Sequence, residues 1–123
     1  MQPVTVHPSQ AGPFSEACRA GDLVFTSGMA GCDMRTGVVE PGGAGPQARR
    51  ALENLRQVLA AAGSDFSRVV KVDLMLRRRE DADAVGAVYA EFFRDHRPAR
   101  CWKFVSDLIA PEFLLEIEMV AAR

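Results

Sequence analysis

The chain of 123 residues has almost no net charge, with 15 Lys and Arg set against 16 Asp and Glu. That balance excludes the capture of nucleic acid or anionic lipid by charge alone, because such partners are gathered by a concentrated positive field. Whatever this protein holds, it must catch locally. Cysteine is scarce too: Cys18, Cys32 and Cys101 form no CxxC pair and leave one thiol over. A disulfide framework is therefore excluded, and a reducing, cytoplasmic setting is expected. His7 and His96, together with the three cysteines, match no zinc spacing, so no metal is expected. No apolar run approaches the roughly 20 residues of a membrane-spanning helix. The start, "MQPVTVHPSQ", lacks the basic segment and apolar run of a signal peptide. Six of the ten glycines lie between Gly28 and Gly45, but without phosphate-loop spacing or a closing Lys-Ser/Thr, which argues against a nucleotide cradle. That stretch reads as a connection with one small hairpin at Arg35 to Gly37.

What the chain does have is apolar content, 48% of its residues, enough for one domain over residues 1–123 with a core of its own. "VTVHP" reads as a short strand. "EACRAGDLVFTSG" reads as a hairpin turning at Ala20-Gly21-Asp22, with Leu23 and Phe25 on one face and Val24 and Thr26 on the other. From Pro46 the apolar residues Ala48, Ala51, Leu52, Leu55, Val58, Leu59 and Ala62 recur at helical steps, closed by Gly63. "VVKVDLML" alternates, putting Val70, Val72, Leu74 and Leu76 on one face and Lys71, Asp73 and Met75 on the other. A second helix carries Val85, Val88, Tyr89, Phe92 and Phe93 and cannot pass Pro98. "RCWKFVSD" and "FLLEIEMV" complete six strands. The order predicts an α+β fold, a mixed six-stranded sheet with two helices packed on one face. The opposite face mixes Met75 and Val120 with Lys71, Asp73, Lys103, Glu116 and Glu118, and a half-apolar face of this kind predicts an oligomer.

Three groups of residues invite chemistry. Glu116 and Glu118 are two apart in a strand and share a face, so each raises the other's pKa unless a cation intervenes; proton transfer and a salt-bridged polar surface are both open readings. Arg100, just after Pro98, is either a fork for a substrate carboxylate or a helix-end arginine bonding carbonyls. Trp102 and Phe104 share its strand face and favour a pocket wall around a single cation. Alternation sends Cys101 to the other face, where a structural thiol fits better than a nucleophile. Lys71 and Lys103 read as ion-pair partners of Asp73, Glu116 or Glu118 rather than Schiff-base lysines.

Taken in order and spacing, "AGPFSEACRAGDLVFTSGMAG", "QARRALENLRQVLAAAGSDFSRVVKVDLML", "VYAEFFRDHRPAR" and "PEFLLEIEMVAAR" resemble the RidA/YjgF family of enamine/imine deaminases, also called the endoribonuclease L-PSP family. The resemblance covers nearly the whole chain. It implies a chorismate-mutase-like fold of the bacillus type and a homotrimer with clefts between subunits. It also implies a small 2-imino or 2-enamino acid substrate, with no cofactor, no metal, no nucleic acid and no membrane. Carried over, Arg100 binds the substrate carboxylate and Glu116 positions or activates the attacking water. Phe14, Ser27, Gly28, Met29, Cys101 and Trp102 fall at positions expected to border the cleft.

The match departs from the common pattern at Phe14, where many members carry tyrosine, at Met29 in place of glutamine, and at Cys101-Trp102-Lys103. These changes leave the anchor and the acid in place and point to a bulkier or more apolar substrate. They also keep open a trimer that binds a small carboxylate without turning it over. Ribonuclease activity, attached to the family's other name, is at odds with a net charge of -1 and no basic stripe with interleaved aromatics.

Overall fold

A computed structural model describes residues 1–7 and 12–123. The strands are β1 (Gln2–Val4), β2 (Ala17–Ala20), β3 (Leu23–Thr26), β4 (Met29–Ala30), β5 (Val69–Leu76), β6 (Ala99–Phe104) and β7 (Leu115–Ala122). Two helices, α1 (Ala44–Ala61) and α2 (Ala82–Phe92), flank β5 in the chain. The described residues form one sheet of order β1-β2-β3-β7-β5-β6, with β4 pairing alongside β7. Among the described residues only β5 and β6 run parallel, joined by the crossover through α2, and the other pairings are antiparallel. The expected α+β fold with a mixed sheet and two helices is what forms.

Three local expectations are corrected. The seventh strand, β4, comes from the glycine-rich stretch expected to be a connection, since two residues are too few for a periodicity to register. The first strand lies at Gln2–Val4 rather than over "VTVHP", and the Pro8 end of that motif falls outside the described residues. In β5 the register shifts between Val69 and Lys71. Val70 is the extra residue of this bulge and is 47% exposed, while Val69 takes its place in the core.

The predicted apolar stripe of α1 is fully buried: Ala48, Ala51, Leu52, Leu55, Val58, Leu59 and Ala62 all have zero exposure. They pack on Leu115, Ile117, Met119 and Ala121 of β7 and Val72, Leu74 and Leu76 of β5. Each leucine or valine so buried contributes about 1.5–3 kcal/mol relative to an exposed one. Gly63, with φ of 85°, closes the helix in the left-handed conformation expected of a stop, and Ser64 N donates back to Leu59 O at 2.8 Å. Two buried amides fix the loops around α1. Gln47 accepts from Leu114 N (3.0 Å) and donates to Glu112 O (3.2 Å). Asn54 donates to Cys32 O at 2.9 Å and to Ala30 O at 3.3 Å. The chain ahead of β7 and the short β4 are thereby tied to the same helix.

The N-terminal segment is pinned by one buried carboxylate, Glu16, which is 4% exposed. Its Oε1 accepts from His7 N at 2.8 Å and from Val6 N, and its Oε2 lies 2.9 Å from His7 Nδ1. Burial by itself pushes the Glu16 pKa up, but the bonds from His7 and Val6 outweigh it and hold the carboxyl below its ordinary value. A carboxyl whose folded pKa is lowered adds stability that is complete above the unfolded value and is lost as pH falls through the folded one. Glu16→Ala is expected to cost about 3 kcal/mol at neutral pH, because it strands buried N–H donors. The gap to wild type should shrink once the medium is acidic enough to protonate Glu16. Urea unfolding at neutral and acid pH checks both statements.

Candidate active site

Register divides the sheet into two chemical faces. Across β5 and β6, Val72 stands opposite Arg100 and Leu74 opposite Trp102, so both β6 side chains share the helix-covered face. Across β5 and β7, Met75 stands opposite Glu116 and Asp73 opposite Glu118, which puts both glutamates on the outer face with Cys101 and Lys103. Arg100 and Glu116 thus occupy opposite sides of one sheet. A single subunit does not bring them together.

On the helix face, the Arg100 guanidinium lies 5.0 Å from the ring centre of Tyr89 and 5.0 Å from that of Trp102. Two aromatic rings against one cation orient it without neutralising it. Arg100 has no carboxylate partner among the described residues. The expectation that Trp102 walls the arginine holds, while Phe104 instead meets Arg79, 4.4 Å from its ring centre. Trp102 lies on α2 where that helix carries Gly86; a Cβ there would stand 3.8 Å from the indole edge. Tyr89 Oη and Trp102 Nε1 are both buried with no hydrogen-bond partner among the described residues. Burial also raises the Tyr89 pKa, with Arg100 pulling the other way.

On the outer face Glu116 is half-buried. Its pKa is raised, first by burial and then by the negative charge of Glu118. No cation pairs with it among the described residues, since Lys103 Nζ is taken by Asp73 Oδ1 at 3.2 Å. Of the lysine pairings expected from the sequence, Lys103 with Asp73 is the one observed. Gly28 lies directly against the glutamate: a Cβ there would fall 2.3 Å from Glu116 Oε1. Any side chain at position 28 therefore displaces the carboxyl. Ser27 is held beside it, with Ser27 N donating to Glu16 O at 2.8 Å and its Oγ to Ser15 O at 2.6 Å. The Ser27 hydroxyl is thus engaged with the backbone.

The remaining expected cleft residues separate. Phe14 is 55% exposed. Cys101 lies on the glutamate face, away from Arg100, as alternation predicts. The Met29 side chain is 2% exposed and belongs to the core under α1, because its place in β4 opposite Ile117 turns it inward. The spacing of Tyr89 marks it only as a core residue of α2, and nothing in that spacing shows its hydroxyl to be unpartnered. Among the described residues no group of three His, Cys, Asp or Glu is arranged to hold a metal ion. Among the same residues no helix is long and apolar enough to cross a membrane.

The sequence pattern of the family described as "Endoribonuclease L-PSP" matches residues 4–123. The chain belongs to the RidA/YjgF family. Among RidA/YjgF relatives, the 2-iminobutanoate/2-iminopropanoate deaminase of Mus musculus is 35% identical over 97% of this chain and 87% of its own length. The 3-aminoacrylate deaminase RutC of Acinetobacter baylyi is 36% identical over 93% and 90%. The crystal structure of the Escherichia coli YjgF gene product superposes with a TM-score of 0.90 at 30% identity, covering 100% of this chain and 99% of that one. Against the RidA/YjgF background the fold is the chorismate-mutase-like one that the resemblance implied.

Proposed function

We infer that the protein is a hydrolytic deaminase of reactive 2-imino and 2-enamino acids, working as a homotrimer. Its relatives bear the names of deaminases acting on 2-iminobutanoate, 2-iminopropanoate and 3-aminoacrylate. The observation that carries the reading is the division of Arg100 and Glu116 between opposite sheet faces, each without an opposite charge among the described residues. Each is half a site, and a neighbouring subunit supplies the other half. Exposed apolar surface favours such a neighbour: Leu23 (39%) and Phe25 (45%) stand on the outer face beside Cys18, Val120 and Ala122.

In this reading Arg100 forks onto the substrate carboxylate, and the rings of Tyr89 and Trp102 exclude water behind it. Glu116 of the adjacent subunit takes a proton from water as its oxygen adds to the imine carbon. Return of that proton to nitrogen completes the carbinolamine; its hydroxyl proton then passes through the same carboxylate to the amino group, and as the C–O bond becomes the carbonyl the C–N bond breaks, releasing ammonia and leaving the 2-oxo acid. An enamino acid first tautomerises to the imine. Phe14 brings a ring but no hydroxyl to the cleft border, which favours a second reading, a trimer that binds small carboxylates without turnover.

The test is to generate 2-iminobutanoate in solution and follow its loss. Acceleration over buffer is the expected result; decay at the buffer rate, with tight binding of 2-oxobutanoate, would transfer support to the binding-only reading. The pH profile adds a sign. Glu116 works as its anion, so kcat/KM falls as pH drops through its raised pKa. Glu118→Gln removes the neighbouring negative charge, lowers that pKa and moves the acid limb to lower pH. The larger contribution, burial, stays. A limb that does not move, or moves upward, would remove Glu116 from the role of base.

A further inference from the structure

The cavity that holds the Arg100 side chain has a volume of about 550 Å³ and is lined by Tyr89, Phe93, Arg94, Arg97, Pro98 and Arg100, with Ala90 at its edge. That size lies within the range of small-molecule sites, about 300–1,000 Å³. Among the described residues its charged lining is three arginines and no acid, while Glu91 and Asp95 line the neighbouring pocket that Arg94 also borders. Arg94, Arg97 and Arg100 recur at every third residue from the end of α2, through the turn, to the head of β6. None of the three has a carboxylate within ion-pairing distance among the described residues. The C-terminal end of α2 offers the equivalent of about half a negative charge to Arg94, far short of balancing three guanidinium groups. In a chain whose net charge is -1 this is a concentrated local excess.

One monocarboxylate would occupy one fork and leave two cations facing the same space. The floor is apolar, with the Tyr89 and Phe93 rings 4.7 Å apart. Tyr89 is itself 6% exposed, and its hydroxyl is buried without a partner among the described residues. Aromatic rings suit a short carbon chain, and three guanidinium groups around one cavity suit a ligand with more than one carboxylate.

We propose that the preferred substrates are dicarboxylic 2-imino acids, with Arg100 on the 1-carboxylate and Arg97 and Arg94 on the side-chain carboxylate. Turnover of such acids rests on the deaminase reading, but the diacid subsite itself does not depend on it. The proposal also changes the expectation drawn from Trp102, from a bulkier apolar substrate to one with a second anionic end. The preference is electrostatic, so it weakens as salt is raised.

Calorimetry with the stable 2-oxo acids separates the two ideas. 2-Oxoglutarate is expected to bind at least about tenfold tighter than 2-oxobutanoate at low salt, the effect of one well-placed charged contact. In Arg97→Gln and in Arg94→Gln that ratio should fall at least about fivefold, and raised salt should reduce it in the wild type. Equal binding of the two acids, or a ratio untouched by both substitutions, overturns the proposal. The same comparison is then made in turnover, with 2-iminoglutarate and 2-iminobutanoate generated by an amino-acid oxidase. Turnover of both without a diacid preference overturns the proposal and leaves the deaminase reading standing. An Arg97-dependent binding preference without any turnover upholds the diacid subsite and removes the deaminase reading.

Discussion

Arg100→Ala is expected to lower kcat/KM for 2-iminobutanoate by roughly two to three orders of magnitude while leaving the thermal midpoint within a few degrees of wild type. A bidentate grip consists of two charge-assisted hydrogen bonds, each worth about 1.5–2 kcal/mol net, so its loss amounts to about 3–4 kcal/mol, or roughly 200- to 1,000-fold in rate. Part of that loss appears in kcat, since the anchor also aligns the imine carbon with the attacking water. Stability is spared because Arg100 is exposed and its two ring contacts are worth about 0.5–1 kcal/mol apiece at such a site. Arg100→Lys should fall between the two, keeping the charge but losing the fork. The partition of Arg100 and Glu116 between faces adds a sharper result. Arg100→Ala and Glu116→Gln proteins are each expected to keep only a small residual rate, yet trimers refolded from an equal mixture should regain about a quarter of the wild-type rate, the fraction of clefts that draw one intact residue from each side. Steady-state kinetics on the single and mixed proteins measures both effects. Mixed trimers no more active than their parents would mean that the two residues do not share a cleft.

The largest expected loss of stability comes from one methyl group. A Cβ on Gly31 would stand 2.4 Å from Gln47 O and 2.5 Å from Gln47 Cα, both backbone atoms of α1. No rotamer relieves that clash, so Gly31→Ala has to lift α1 from β4 and open the core beneath. Overpacking of this kind costs about 3 kcal/mol, which for a chain of this size corresponds to a fall of about 10–15 °C in Tm. Gln47 also grips Glu112 and Leu114 just ahead of β7, so the disturbance reaches the strand that carries Glu116. Gly28→Ala is the informative control, because its methyl meets the Glu116 side chain rather than backbone. There the carboxyl can swing aside, so the expected damage is to kcat, with Tm largely kept. Thermal melts at one protein concentration and kinetics on both variants distinguish the two outcomes.

Much of the fold is legible in the residues themselves. The stripe from Ala48 to Ala62 fixes α1 and its buried face, since helical recurrence of apolar residues leaves one way to bury them. Gly63 marks the helix end, because its left-handed backbone is open to glycine at little cost. Alternation places Leu23 and Phe25 apart from Val24, Glu116 with Glu118, and Arg100 with Trp102 and apart from Cys101. These are local regularities, and local sterics enforce them. Where a single residue breaks the period, alternation misleads. The bulge at Val70 exchanges its place with Val69, and the inward turn of Met29 goes unannounced because its two-residue strand is too short for alternation to register.

Residue type and spacing along the chain are enough to dictate the α+β fold, the family membership carried by the motifs, and the choice of Arg100 and Glu116 as the residues proposed to act on substrate. Relations between distant segments belong to the tertiary structure. Arg100 and Glu116 lie on opposite faces because β5 pairs with both β6 and β7. Gly28 touches the Glu116 carboxyl, Gly31 touches α1, and Tyr89 leaves its hydroxyl without a partner among the described residues, beside Arg100. Spacing cannot reveal such contacts, because they arise between elements that only strand register and helix packing bring together.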